Sequence, residues 1–198
     1  CEQLVAIYQG KATKLAICMP PRYLKSLCIS VAFPAWVLGK HPEKKVIVAS
    51  YGLAIAGKLS SDTKKIMGSY WYKKMFPNTT IERGKNQKNR FETTKGGFRL
   101  AVSSGGSLTG EGADFLIADD PHKPITVKSE KQRKNVIDWF EGTLLTRLNN
   151  KRKGGIIIVM QRLHEEDLIG YLKNKEEKHV GGWKFLIFPA ISKNGEVL

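Results

Sequence analysis

Lys25 and Ser26 stand where an ammonium group and a hydroxyl group could meet phosphate and Mg²⁺. They follow an apolar run, KLAICM, and a Pro-Pro-Arg turn, and they open a segment with helical periodicity. In nucleotide-binding proteins a strand leads into such a loop, and the next helix points the positive end of its dipole at the phosphates. The spacing therefore predicts a phosphate-binding loop at residues 19–26.

The loop departs from the pattern G-x-x-x-x-G-K-[ST] at both glycines. Met19 and Leu24 occupy these positions when the pattern is aligned on the Lys-Ser pair. Pro20 and Pro21 could set the turn in place of the first glycine, but the Cβ of Leu24 restricts φ where backbone N–H groups should approach a phosphate. The alternative is an ordinary strand, turn and helix with a lysine on the surface.

A pair of acids ends another apolar run. The segment DFLIADDPHK places Asp119 and Asp120 at the carboxyl edge of a sheet, where open α/β folds bind ligands. Asp119 is suited to hold the water shell of Mg²⁺, and Asp120 to orient or deprotonate an attacking water. Such a pair is as often structural, but Ser26 and Asp119 together would offer a metal both a hydroxyl and a carboxylate.

A third polar strand end lies in GIIIVMQRLHEEDLIGYL. Gln161 would lie at the sheet edge beside a nucleotide, where its amide could sense the γ-phosphate. His164 and Glu165 suggest zinc binding, but Leu168 stands where an HExxH helix needs its second histidine. The acids at 165–167 are explained by the dipole of a helix that begins there.

Apolar runs bounded by turn residues alternate with helical segments along the chain. Several runs are continuously apolar, which is typical of strands covered on both faces in a parallel sheet. The alternation predicts a three-layer α/β domain, interrupted at 84–112 by a hairpin-like excursion that ends in a mobile loop. The predicted strands are 14–19, 45–50, 98–102, 114–118, 155–160 and 184–188, and the predicted helices are 2–10, 25–38, 51–67, 129–148 and 165–175.

The composition is that of one globular domain. With 198 residues and 41% hydrophobic content the chain can bury a full core. No apolar run approaches the ~18 residues of a membrane span. Cys1, Cys18 and Cys28 cannot all pair with one another, which favours a disulfide-free cytoplasmic protein. Because the chain begins at Cys1 rather than Met, we expect it to be part of a longer protein.

The charge is strongly positive and unevenly distributed. The formal net charge is +15, and residues 40–99 hold 14 Lys and Arg against 4 Asp and Glu. Such a surplus favours a polyanion such as nucleic acid, because phosphate neutralisation releases counterions. The alternative is a solvated surface. The nucleic-acid interpretation is preferred because five cations crowd a short segment that also holds two phenylalanines; they are Lys85, Lys88, Arg90, Lys95 and Arg99.

Four segments, in order, resemble the ATPase domain of the large terminase subunit of tailed bacteriophages. They are PPRYLKS, SLTGEGADFLIADDP, TLLTRL and QRLHEEDLIGYL, and the likeness extends over nearly the whole chain. The resemblance implies a single three-layer P-loop NTPase domain at 1–198, with a mostly parallel central sheet of the additional-strand, RecA-like type. It also implies an ATP-driven motor that uses Mg²⁺ to push double-stranded DNA into a capsid, and a separate nuclease domain beyond Leu198.

The resemblance assigns roles to the residues of the loop. Lys25 would contact the β- and γ-phosphates, and Arg22 would sense or stabilise the γ-phosphate. Ser26 and Asp119 would hold Mg²⁺. The residues expected to surround the nucleotide phosphates are Pro21, Arg22, Tyr23, Leu24, Lys25 and Ser26.

The resemblance also assigns the hydrolytic and coupling residues. Asp120 stands where many relatives have a catalytic glutamate and would position the attacking water, while Gln161 and Arg162 fall in the segment that couples hydrolysis to movement. Glu111 is a departure, since a basic residue that acts on a neighbouring subunit is expected there. Arg147 could substitute for it, although a cation that packs at a helix end is the preferred interpretation.

The resemblance further implies the partners. These are double-stranded DNA, identical subunits in a ring on a capsid portal, and a small terminase subunit, in the cytoplasm of a bacterial host and without a membrane. Two rival functions stay open: a helicase-like nucleic-acid ATPase on the same fold, and a DNA-binding or assembly module whose altered loop no longer hydrolyses ATP.

Overall fold

The computed structural model of the chain describes residues 1–108, 110–177 and 182–189. The helices are α1 (Glu2–Tyr8), α2 (Phe33–Lys40), α3 (Leu53–Gly68), α4 (Tyr70–Met75), α5 (Glu130–Trp139) and α6 (Leu168–Glu177). The strands are β1 (Lys14–Cys18), β2 (Lys45–Ser50), β3 (Ile81–Asn86), β4 (Arg90–Thr93), β5 (Phe98–Ser103), β6 (Phe115–Asp119), β7 (Gly155–Met160) and β8 (Lys184–Ile187). All six strands predicted from the apolar runs are present, within one or two residues of their predicted ends.

The strands form one mixed, mostly parallel sheet. Their order is β3-β4-β5-β2-β6-β7-β1-β8. The pairings among β1, β2, β5, β6, β7 and β8 are all parallel, and the β3–β4 hairpin joins the sheet antiparallel through β5. The predicted excursion is therefore a hairpin at the edge of the sheet. Since β7 lies between β1 and β6, the predicted additional-strand arrangement is confirmed.

Both faces of the sheet are covered by helices. On one face, Val46 and Phe115 belong to a buried cluster that also contains Phe33 at the start of α2. On the other face, Ile47 packs in a second cluster with Leu172 of α6. Because side chains alternate between the faces of a strand, a strand buried on both sides must be apolar throughout, as these runs are. The predicted three-layer α/β architecture is confirmed.

The segment 25–38 was predicted as one regular helix, and the structure differs from this prediction. A π-helical segment, Leu27–Ala32, precedes α2. Pro34, near the start of α2, explains the change. It has no N–H to donate to the carbonyl of Ser30 four residues earlier, and its ring would clash with that carbonyl. Widening the preceding turn avoids the clash.

The predicted helix at 129–148 is also divided. α5 ends at Trp139 and is followed by a π-helical segment, Phe140–Leu144, and a 3₁₀ turn, Leu145–Arg147.

The three cysteines are unpaired, as expected from their number. Among the helices in the described ranges, none combines the length and the apolar character that a membrane crossing requires.

Candidate nucleotide site

The three polar strand ends meet at one edge of the sheet. β7 pairs in parallel with both β1 and β6, so the chain leaves all three strands on the same side. The loop with Lys25, the acids Asp119 and Asp120, and Gln161 follow these three strand ends. The structure thus brings together the residues that the sequence had placed on separate segments.

The loop adopts a glycine-like backbone without a glycine. Leu24, at the position of the second glycine of the pattern, has φ +57°, and Arg22 has φ +69°. Both values lie in the left-handed region, which costs a residue with a Cβ roughly 1–2 kcal/mol. The Leu24 side chain is 63% exposed, so its Cβ points away from the protein. Leu24 therefore has the left-handed backbone that a glycine at this position would adopt easily, at a conformational cost.

Lys25 is bound to an acid of the site. Its Nζ lies 2.9 Å from Oδ2 of Asp120, and the lysine side chain is only 8% exposed. A buried ammonium with one carboxylate partner can exchange that partner for a phosphate, because both are oxygen anions. By contrast, Arg22 is exposed and makes no ion pair with any residue in the described ranges.

Asp119 lies beneath the loop and is held by Ser26. The Ser26 hydroxyl donates to Oδ1 of Asp119 at 2.9 Å. Burial raises the pKa of the Asp119 carboxyl to about 6, and the negative charge of Asp120 adds to the rise, whereas the hydroxyls of Ser30 and Ser26 and the charge of Lys25 oppose it. A carboxylate in this position is destabilised unless a cation accompanies it.

The donor set fits a magnesium ion. Oδ2 of Asp119 is buried and has no hydrogen-bond partner among the described residues. An orphaned carboxylate oxygen beside a hydroxyl is a suitable pair of protein ligands for Mg²⁺, which takes few protein ligands and fills its other positions with water and phosphate oxygens. In the part of the chain that the structure describes, no cluster of three or more His, Cys, Asp or Glu side chains suits a metal that needs a full protein cage.

Asp120 links the second and third strand ends. Its Oδ1 accepts a hydrogen bond from the backbone N–H of Gln161 at 3.0 Å, while Oδ2 faces Lys25. Its φ is +42°, which is strained for an aspartate. One carboxylate thus contacts the loop after β1 and the segment after β7, which is the geometry a residue needs to register changes at both.

Asp167 organises the segment after β7, a role that the sequence did not reveal. It is fully buried, and its Oδ2 accepts hydrogen bonds from the Arg162 side chain at 3.0 Å and from the Leu163 N–H at 3.1 Å. Its Oδ1 accepts from the Gly170 N–H at 3.0 Å, as an N-cap does. The helix therefore begins at Leu168, not at Glu165 as predicted, and Arg162 is bound within its own turn.

His122 is a second residue that sequence reasoning overlooked. It is 2% exposed, and its Nε2 accepts a hydrogen bond from the Leu168 N–H at 2.9 Å. Burial lowers the pKa of the imidazole, and the charge of Asp167 opposes this shift. A neutral imidazole can accept this bond, so His122 joins the turn after β6 to the start of α6.

An apolar cavity of about 550 Å³ lies beside the loop. It is in the size range of small-ligand pockets, and no sequence motif marks it. It is open next to Lys25, so a nucleobase could occupy it while the phosphates lie on the loop. Residues that line it include Leu4, Ile17, Tyr23, Ile29, Leu186 and Phe188.

Glu111, which stands where a residue acting on a neighbour was expected, and Arg147, its possible substitute, both have partners within the chain. Glu111 pairs with Arg90, whose Nη1 lies 2.5 Å from its Oε1. Arg147 donates through Nη1 to the Leu108 carbonyl at 3.2 Å and through its other nitrogens to Thr146. This is the helix-end packing that was preferred for Arg147. The neighbouring Thr109 lies outside the described residues.

This arrangement of strands and strand ends is that of a P-loop NTPase fold. Comparison with solved structures places the chain beside phage DNA-packaging proteins. The large terminase of bacteriophage HK97 is 13% identical, with a TM-score of 0.62 over 97% of this chain and 39% of that protein. The large terminase of a thermophilic bacteriophage, in complex with ATP-gamma-S, is 11% identical, with a TM-score of 0.54 over 98% of this chain and 47% of that protein.

The N-terminal domain of the DNA packaging ATPase from bacteriophage phi29 is 13% identical, with a TM-score of 0.54 over 98% of this chain and 97% of that domain. The resemblance to large terminase ATPase domains is thereby confirmed for the fold. The chain spans less than half the length of the two large terminases. No protein-family model matches the sequence, and no curated protein does.

Proposed function

We propose that this chain is the ATPase domain of a phage DNA-packaging motor. The observation that carries the proposal is the meeting of Lys25 and Ser26 with Asp119 and Asp120 at the carboxyl edge of the parallel strands, next to a loop in which Leu24 has a left-handed backbone. The terminase of the thermophilic phage binds ATP-gamma-S and the phi29 protein is a DNA packaging ATPase, which supports ATP as the ligand and DNA as the load.

Each residue of the site has a separate task in this proposal. Lys25 exchanges Asp120 for the β- and γ-phosphates, and Arg22, exposed on the loop, is free to approach the γ-phosphate. Ser26 and Asp119 would hold Mg²⁺, which when bound would neutralise charge on the phosphates. Asp120, released from Lys25, then orients the water that attacks the γ-phosphorus.

Gln161 would report the state of the nucleotide to the rest of the domain. Its backbone N–H contacts Asp120, so a change in the position of that carboxylate moves the segment after β7. Arg162 and Asp167 make this segment rigid, and it leads directly into α6. We propose that the structural change that follows hydrolysis is transmitted along this path.

ATP hydrolysis is the test of the proposed function. The chain should hydrolyse ATP with Mg²⁺, and Lys25→Ala should weaken nucleotide binding about 10- to 100-fold, since a charge-assisted bond to phosphate is lost. Asp119→Ala should abolish turnover. Lys40→Ala, an exposed lysine at the opposite edge of the sheet, is the matched control and should hydrolyse normally. Hydrolysis that survives both site variants would refute the proposal.

The structure changes where DNA contact is expected. Three of the five clustered cations that suggested a nucleic-acid surface are occupied: Arg99 is fully buried, Arg90 pairs with Glu92 and Glu111, and Lys85 pairs with Glu92. Arg99 was therefore wrongly counted as part of a basic surface, whereas Lys88 and Lys95 are exposed and make no ion pair with a described residue. Most of the free charge of residues 40–99 must lie elsewhere.

Helix α4 offers a better surface for DNA. Tyr70, Trp71 and Met75 are 82%, 55% and 61% exposed, and they flank Lys73 and Lys74, which make no ion pair with any described residue. Lysines neutralise phosphates, and aromatic rings can lie against sugars and bases. We propose that α4 contacts the DNA.

Salt titration of DNA affinity tests this surface. The double variant Lys73→Glu/Lys74→Glu should weaken binding and reduce the slope of log affinity against log salt by about 2. Lys131→Glu/Lys134→Glu on α5 makes the same change in net charge and should alter the slope much less. An equal effect of both pairs would mean that only net charge matters. Stimulation of hydrolysis by single-stranded rather than duplex DNA would favour a helicase-like enzyme.

The remaining partners follow from the fold resemblance alone. We propose a homo-oligomeric ring on a capsid portal, a small terminase subunit, and the cytoplasm of the bacterial host as the place of action. A nuclease domain that follows the ATPase is part of the same proposal. Sedimentation of the chain with and without ATP-gamma-S would show whether nucleotide promotes the ring.

A further inference from the structure

Arg99 is a buried cation that the proposed mechanism does not use. It lies on β5, is 0% exposed, and donates through Nη2 to the Ser30 carbonyl at 3.2 Å. Its Nε and Nη1 have no partner among the described residues. Burial lowers the pKa of the guanidinium to about 9, against the opposing charge of Asp119, so it stays charged at neutral pH. A charge in such a place is costly, and its position calls for an explanation.

The contact with Ser30 supplies part of that explanation. Pro34 cannot donate to the Ser30 carbonyl, so this carbonyl lacks the partner that an α-helix would provide. Arg99 supplies the missing donor from the neighbouring strand. The π-helical segment Leu27–Ala32 thus receives, at Ser30 within it, a hydrogen bond from β5.

The hydroxyl of the candidate metal site lies at the start of the same segment. Ser26 immediately precedes the π-helical segment and donates to Asp119. Arg99 also shares a sheet face with Asp119, because Val46 pairs with both Arg99 and Phe115 and side chains alternate along β6. The guanidinium charge and the carboxylate are therefore on the same side of the sheet, with the π-helical segment over both.

We propose that Arg99 is a positioning residue that holds the π-helical segment so that Ser26 and Asp119 present their oxygens together to Mg²⁺. This inference rests on the proposed nucleotide function and assigns to that site a residue that does not touch it. Partners behind metal ligands commonly change metal affinity about 10- to 100-fold when removed. We expect Arg99 to act in this range.

Stability and magnesium dependence separate this role from a purely structural one. Only one of the three guanidinium nitrogens of Arg99 has a hydrogen-bond partner among the described residues, and an apolar side chain of similar size avoids the desolvation cost of the buried charge. Arg99→Met should therefore keep or raise the denaturant midpoint of the chain. We define the magnesium gain as the factor by which Mg²⁺ raises the affinity for ATP-gamma-S. This gain should be about 10- to 100-fold smaller in Arg99→Met, while the affinity measured in EDTA changes little.

Arg99→Lys and Arg99→Gln complete the series. Lysine keeps the charge and a donor and should restore most of the magnesium gain, whereas glutamine keeps a donor on a shorter side chain without the charge and should restore only part of it. Hydrogen exchange at residues 27–33 should be faster in the methionine variant than in the original protein. A normal magnesium gain in a folded methionine variant would overturn the inference, and so would two neutral variants that fail to fold.

Arg133→Met is the matched control. Arg133 is a buried arginine whose two terminal nitrogens both have partners, the Val127 and Lys128 carbonyls at 3.0 Å and Glu166 at 2.5 Å. Its loss should lower stability and leave the magnesium gain intact. If the original chain binds no ATP-gamma-S, the proposed function and this inference fail together; if it binds normally and Arg99→Met behaves like the original, only the inference fails.

Discussion

Lys25 and Asp120 form an ion pair across the candidate site, with Nζ 2.9 Å from Oδ2. The lysine that would bind phosphate and the acid that would orient water are thus paired with each other. This contact defines a resting arrangement in which neither group is available. In the proposed mechanism, binding of a nucleotide breaks this pair and makes both groups available at once.

Asp120→Asn should separate binding from hydrolysis. The amide is a weaker partner for the ammonium, so Lys25 is more available and the affinity for ATP-gamma-S should be equal to or tighter than that of the original chain. Turnover should fall by about 10²- to 10⁴-fold, because the carboxylate that orients or deprotonates water is gone. Equilibrium titration and steady-state hydrolysis on the same preparation measure the two effects.

Weakened binding in Asp120→Asn would show that the pair is a structural brace and not a competitor of phosphate. Asp138→Asn, at an exposed position on α5, is the control and should affect neither quantity.

Leu24→Gly should relieve backbone strain. Leu24 has φ +57°, whereas Tyr23 is not among the residues with positive φ. Glycine costs entropy at either position, so the difference between Leu24→Gly and Tyr23→Gly isolates the left-handed strain. We expect Leu24→Gly to be more favourable for stability by about 1–2 kcal/mol. Urea denaturation of both variants measures this, and equal effects would contradict the strained geometry.

Asp119→Asn should show a pH-dependent gain in stability without nucleotide. The folded pKa of Asp119 is about 6, above the ordinary value of 3.8, so the folded protein binds more protons than the unfolded chain between these values. The free energy of unfolding of the original protein therefore falls as pH rises from about 4 to 6, and the variant does not show this fall. The advantage should be near zero at pH 4 and about 3 kcal/mol at most at pH 7.5.

With Mg²⁺ and ATP-gamma-S the order should reverse, because the asparagine lacks the charge that holds the metal. Thermal unfolding of both proteins at three pH values, with and without ligand, gives the comparison. An advantage that grows toward acid pH would mean that Asp119 is stabilised as a carboxylate in the folded state.

The parts of the fold that depend on local pattern could be predicted from the sequence. The strand β7 is buried on both faces and is therefore apolar throughout. This continuous apolar run is enough to predict the strand from the sequence. The site followed from the same pattern, since parallel strands put Lys25, Asp119 and Gln161 at one edge. The resemblance to terminase ATPase domains added the additional-strand arrangement of the sheet, which the structure confirms, and a role for each site residue, which stays a prediction.

The features that the sequence did not reveal depend on long-range partners. Arg99 counted as surface charge, but its side chain lies in the core against Ser30, which is 69 residues away in the chain. His122 accepts a bond from Leu168, 46 residues on. Leu24 looked unsuitable for a phosphate loop because propensity disfavours its backbone form, yet the surrounding structure imposes it.

The most direct test of the account is calorimetric titration of the chain with ATP-gamma-S in the presence of Mg²⁺, repeated with Lys25→Ala. The account predicts saturable binding at one site per chain, weakened about 10- to 100-fold by the substitution and competed by pyrophosphate. Absence of binding by the original chain, or binding that Lys25→Ala leaves unchanged, would contradict it.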